Sequence, residues 1–149
     1  MIKKKNVLAV CIDLLDRKIS DLKSEIEEVR QSVITDSKSS MGDKYETGRE
    51  VMNQERNRLN GQLDIFYNQL SSLKSIDPDL HISSVKHGSL VTSENGIYFI
   101  SVPLGLIDVD GQKVFAISIG APIAKSMEGK KAAETIDFGG KSFKLLDIK

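Results

Sequence analysis

The chain has 149 residues, enough for one ordinary domain or two small ones, and is 40% hydrophobic and 28% charged. Twenty-one Lys and Arg balance twenty-one Asp and Glu, which excludes wholesale polyanion binding but leaves local charged patches open. With no Trp and only 5% aromatic residues a large aromatic-lined pocket is disfavoured, and a single cysteine excludes an intrachain disulfide, as suits a reducing cytoplasm.

The opening M-I-K-K-K-N-V-L-A-V-C-I-D-L-L-D has the basic start of a signal peptide, but Asp13 and Asp16 interrupt its short apolar run. No segment approaches the ~20 apolar residues that cross a bilayer. A soluble cytoplasmic protein with no membrane partner is expected.

From Leu8 the apolar positions run Leu8, Ile12, Leu15, Ile19, Leu22, Ile26, Val29 and Val33, alternating steps that form the a/d seam of a coiled coil. Mixed charges fill the intervening positions. Cys11 lies beside the seam and reads as a small buried hydrophobe. The histidines His81 and His87 lie far downstream with no motif linking them to Cys11, so a Cys/His nucleophile has no support.

After Val33 the pattern breaks at T-D-S-K-S-S-M-G, a cluster of turn and capping residues. The seam resumes at Tyr45, Met52, Leu59, Phe66 and Leu73, with Leu63 and Leu70 between the later ones. A second helix is predicted to stop near Ile76, because Pro78 disfavours helix at Asp77. A short connection between such helices makes them antiparallel. Matching Leu22 with Leu59 and Val33 with Tyr45 sets the turn near residues 38 to 41. Residues 1–78 therefore form a coiled-coil finger whose tip, near 35–46, carries Asp36, Asp43 and Glu46.

From Ile82 the pattern shortens to strands. Turns are predicted at Glu94-Asn95-Gly96, at Asp110-Gly111 and at Gly139-Gly140, with one short helix opened by Pro122 and stopped by Gly129. Residues 82–149 thus read as a small α+β domain of four or five strands in an antiparallel sheet. The D-V-D-G run at Asp108 to Gly111 lacks the further ligands of a calcium loop and reads as a plain turn. Lys130 and Lys131 read as solvated ends of a helix-to-strand connection.

An antiparallel finger with acids at its tip, joined to a small α+β domain, resembles the Gre family of bacterial transcript-cleavage factors. The likeness is clearest over A-P-I-A-K-S-M-E-G-K-K-A-A-E-T-I-D-F-G-G-K-S-F-K-L-L-D-I, Ala121 to Ile148. At the tip, Gly42-Asp43-Lys44-Tyr45-Glu46 keeps the family's Gly-Asp-x-x-Glu, whereas Thr47 stands where Asn is usual and the later Tyr is absent.

The resemblance implies an FKBP-like C-terminal domain and a finger that enters the secondary channel of RNA polymerase. It further implies that the tip acids, principally Asp43 and Glu46, share a Mg²⁺ with the polymerase and promote cleavage of backtracked RNA near its 3′ end. Aligning Tyr45 with the family's Tyr instead would make Asp36 the rival first acid. The protein would be a monomeric accessory factor with no cofactor of its own, and not an independent enzyme. Lys38, Lys44 and Arg49, with Arg56 and Arg58, are candidate contacts to RNA phosphates or acidic channel walls.

Simpler explanations stand beside these. Carboxylates near the start of a helix are favoured by its dipole and by capping, whatever their function. A channel-binding regulator without cleavage activity, a coiled-coil adaptor and an FKBP-like prolyl isomerase are the alternative functions. For the last, Tyr98, Phe99, Phe115, Phe138 and Phe143 read more simply as strand-packing residues.

Overall fold

The computed structural model describes the backbone of residues 2–38 and 43–149, and the side chains of all of these except 33, 35–38 and 43–47. Two long helices, α1 (Lys4–Lys38) and α2 (Asp43–Lys74), precede strands β1 (Leu90–Ser93), β2 (Gly96–Ile100), β3 (Gly105–Val109) and β4 (Gln112–Ile117). A short helix α3 (Pro122–Met127) and strands β5 (Thr135–Phe138) and β6 (Lys141–Ile148) complete the chain. The protein is α+β. It divides into two compact units, one of residues Leu14–Leu70 and the other of Met1–Asp13 together with Ser71–Lys149.

In the helical unit the predicted seam is the buried stripe. Leu15, Ile19 and Leu22 of α1 and Leu59 of α2 are buried. Ile26, Val29, Met52, Leu63, Phe66 and Leu70 are only partly covered, because two helices can enclose a single stripe between them. The helices run antiparallel. Lys23 lies 5.5 Å from the centre of the Tyr67 ring. The charge of Glu25 raises the guanidinium of Arg58, behind the larger effect of the Glu55 hydrogen bond. Outside the stripe, ion pairs form within each helix: Arg30 with Glu27 at 3.1 Å and Arg58 with Glu55 at 2.6 Å.

Helix α1 runs to Lys38, five residues past Val33, where the turn cluster was expected to begin. Thr35, Asp36 and Ser37 are mediocre helix formers rather than breakers, and each costs only a few tenths of a kcal/mol, roughly, against Ala. No Gly or Pro intervenes before Gly42. Gly48 and Gly61 likewise fail to interrupt α2.

The sheet has six strands in the order β3-β4-β2-β1-β6-β5. All three predicted hairpin turns form, and each arm is a strand of its own, which accounts for six rather than four or five. The sheet is mixed, not wholly antiparallel, because β2 and β4 pair in parallel from Ile97 opposite Val114 to Ile100 opposite Ile117. After β2 the link at Ser101 to Leu104, which contains Pro103, carries the chain outward, and β3 takes the edge. The β3–β4 hairpin then returns β4 beside β2 in the same direction.

Both faces of the central strands are buried, so I-Y-F-I at β2 lacks the alternation of a half-exposed strand. One face carries Val91, Tyr98, Ile100, Phe143, Leu145 and Ile148, packed with Ile82, Val85, Ile136 and with Ala124 and Met127 of α3. The other carries Leu90, Phe99, Ile107, Val109, Val114 and Ala116, all buried. Helix α3 has Pro122 in its first turn and is followed by Gly129 at φ +77°, the start and stop that were predicted. Asn6 of α1 donates from Nδ2 to Asp110 Oδ2 at 2.9 Å, tying the beginning of that helix to the β3–β4 turn.

Candidate functional site

The predicted site residues gather where α1 ends and α2 begins. Asp36 and Lys38 belong to the last turn of α1, so Asp36 is helical rather than part of a turn. Asp43, Lys44 and Glu46 fall in the first turns of α2. The side chains of Asp36, Lys38, Asp43, Lys44 and Glu46 lie outside the described residues; what the backbone fixes is their register. Asp43 opens the helix and Glu46 follows three residues later, so the two positions share one helical face. They stand at the N-terminal end of a 32-residue helix, whose dipole favours negative charge. Arg49, one further turn along, is exposed and has an interaction partner. Arg56 is partly buried, and Arg58 is exposed but committed to Glu55.

Two carboxylates a turn apart are a hard oxygen donor pair. Such a pair suits Mg²⁺, which takes one or two protein carboxylates and keeps water or phosphate oxygens as its remaining ligands. Among the described residues no group of three or more His, Cys, Asp or Glu is arranged to hold a metal ion.

The competing chemistries can be judged from geometry. Cys11 is fully buried, and burial pushes its thiol up to about 12, so it is inert as a nucleophile. His87 Nε2 lies 3.2 Å from Ser72 Oγ, and His81 is exposed. In the D-V-D-G run, Asp108 accepts from the Gly111 amide at 3.1 Å and pairs with Lys113 at 3.0 Å, while Asp110 is held by Asn6. These acids build a turn, with Asp110 at φ +52° and Gly111 at φ +82°. The hydrogen bond from Lys113, then its charge, holds Asp108 below the usual carboxylate range. Lys130 and Lys131 are exposed, and their backbone atoms bond Val85 and Glu134.

Of the five strand aromatics, Tyr98, Phe99 and Phe143 are buried as packing residues. Phe115, stacked on Tyr98 at 5.4 Å, and Phe138 each keep more than a third of their surface exposed. Phe138 was not recognised from sequence as anything but a packing residue. It lines a cavity of about 490 Å³ with Glu94, Asn95, Gly139, Lys141, Ser142 and Phe143. The available signal was the Gly139-Gly140 turn, which sets Phe138 beside a lysine at the end of the hairpin. A second missed residue is Lys4. It reads as part of a basic opening, yet it is 4% exposed and its amine has no hydrogen-bond partner among the described residues. Burial pulls that amine below its ordinary value, against the pull of Asp77.

No protein-family model and no curated protein matches this sequence. Among solved structures, one described as the structure of the transcription factor Gfh1 is similar over 92% of this chain and 92% of its own, at 16% identity and a TM-score of 0.35.

Proposed function

We propose that this chain is a Gre-like transcription elongation factor that binds RNA polymerase through its secondary channel and stimulates the polymerase's own cleavage of backtracked RNA. One observation carries the proposal: α2 opens at Asp43, so the Asp and Glu of G-D-K-Y-E stand one turn apart at the junction of two long antiparallel helices. The likeness of Ala121 to Ile148 to the same family supports it independently. In this reading Asp43 and Glu46 would hold a Mg²⁺ shared with the polymerase, which supplies activation of the attacking water. Positions 43 and 46 share one face of α2, at the end of the helix where its dipole favours negative charge. Lys38, Lys44 and Arg49 would meet RNA phosphate or acidic protein surface, an attraction that salt weakens.

A second reading is favoured by one specific departure. Thr47 stands where the family usually has Asn, and the later Tyr is absent. A factor so altered could occupy the channel and regulate polymerase without promoting cleavage.

The deciding experiment uses a stalled, backtracked polymerase complex with end-labelled RNA, Mg²⁺ and this protein. The expected result is shortened transcripts with the parent and none with Asp43→Asn/Glu46→Gln, while both proteins bind polymerase. Shortening that persists in the double variant would move the chemistry to Asp36. Binding without shortening by the parent would favour the regulator, and absence of binding would refute both readings.

A further inference from the structure

The cavity between the β1–β2 and β5–β6 turns is built rather than incidental. Gly139 and Gly140, at φ +63° and +77°, form a two-residue turn that sets Phe138 opposite Lys141 across the hairpin. Ile136 and Phe143 pair two residues further in, on the same hairpin face, and both are buried in the core. The apolar face therefore runs out of the core and emerges at Phe138, which is 39% exposed.

The opposing wall is held firmly. Glu94 donates its amide to Lys144 O at 3.0 Å and accepts the Lys144 amide on Oε2 at 3.1 Å. Asn95 donates its backbone amide to Ser93 Oγ at 3.1 Å and its Nδ2 to the Tyr98 hydroxyl at 3.1 Å. Two polar groups on the rim remain uncommitted among the described residues. The Lys141 ammonium is exposed and enters no hydrogen bond or salt bridge, and Glu94 has Oε1 open.

An aromatic floor, one open cation and one open hydrogen-bond acceptor match three features of a single chemical object. We infer that this cavity receives the C-terminal residue of a peptide, with an apolar side chain. The side chain would lie against Phe138 and Phe143, the terminal carboxylate would meet Lys141, and the preceding amide N–H would donate to Glu94 Oε1. A volume of about 490 Å³ holds one large side chain with its carboxylate. Charge complementarity favours the terminal carboxylate over an internal peptide segment, whose main chain offers Lys141 no anion, while the Glu94 carboxylate on the same rim faces the amide N–H and not the terminal carboxylate. Such a site would operate whether or not the chain acts on RNA polymerase.

The test is an NMR amide titration of the full chain with acetyl-Gly-Gly-Phe ending in a free carboxylate. The same peptide ending in a carboxamide and phenylacetate are titrated in parallel. Shifts at Glu94, Asn95 and residues 139–143 are expected, with the acid about tenfold tighter than the amide, as suits one charge-assisted bond. Lys141→Gln should erase that tenfold difference, and Phe138→Ala should weaken both peptides. The acid and amide comparison on the parent needs no variant, so a misfolded variant leaves the test intact. Equal binding of acid and amide, or no shifts there at millimolar peptide, would overturn the inference. Phenylacetate binding as tightly as the acid peptide would overturn it in favour of a small-molecule carboxylate site.

Discussion

Cys11 offers a stability test with a calculable size. Its side chain is fully buried, and burial pushes the thiol from 9.0 up to about 12. In the unfolded chain the thiol loses its proton as pH rises past 9.0, whereas the folded chain keeps it until about 12. Between those values the unfolded state binds fewer protons, so stability falls with rising pH by about 1.4 kcal/mol per pH unit. The contribution is whole below the unfolded value. It is lost as pH approaches the folded one, to a total of roughly 4 kcal/mol. Cys11→Ala removes this titration at a packing cost of about 1 kcal/mol that does not depend on pH. Urea unfolding under reducing conditions, followed by circular dichroism from neutral pH to about pH 10.5, measures both proteins. The parent should begin as the more stable of the two and become the less stable above about pH 10. Parallel stability curves for parent and variant would refute the reasoning, since they would mean that the thiol ionises equally well in both states.

Three further outcomes follow from single positions. Lys4→Met should stabilise the chain by about 1–3 kcal/mol in urea unfolding, because it removes a buried amine with no hydrogen bond. The folded Lys4 value is lowered, so the parent should also gain stability as pH rises toward the ordinary lysine value, a gain the variant lacks. Gly61→Ala should stabilise by about 0.5–1 kcal/mol, read as a raised melting temperature, because a Cβ there meets nothing within 4 Å. Leu15→Ala should cost about 2–5 kcal/mol in the same assay, since the side chain is fully buried in a seam only two helices thick.

How legible the fold was depended on whether one local rule decided each element. The seam from Leu8 to Leu73 was readable because burial of one stripe imposes a strict spacing. The turns at Gly96, Asp110 and Gly139 were readable because positive φ favours Gly and, at Asp110, Asp. The parallel pairing of β2 with β4 was not readable. Strands buried on both faces carry no alternation to fix direction, and the order is decided by which edge β3 takes after Pro103. Lys4 escaped for a different reason: the middle lysine of K-K-K cannot be told from its neighbours unless the elements that bury it are known. Phe138 escaped because a core aromatic and a cavity-lining one have the same sequence signature; only the turn that carries Phe138 past the core separates them.

The candidate acids illustrate what spacing alone establishes. A spacing of three from Asp43 to Glu46 puts both positions on one helical face once α2 is known to begin at Asp43. The residues that hold the helical unit together, Leu15, Ile19, Leu22 and Leu59, are distant in sequence from that pair. Neutralising Asp43 and Glu46 therefore removes charge from a helix N-terminus, at about 1 kcal/mol or less each, without opening the seam. Their loss can be tested as a loss of chemistry because it is not also a loss of structure. The same separation cannot be claimed for Asp36 from spacing, since the last turn of α1 gives it no partner at a fixed interval, and only the surviving activity of the double variant would bring it forward.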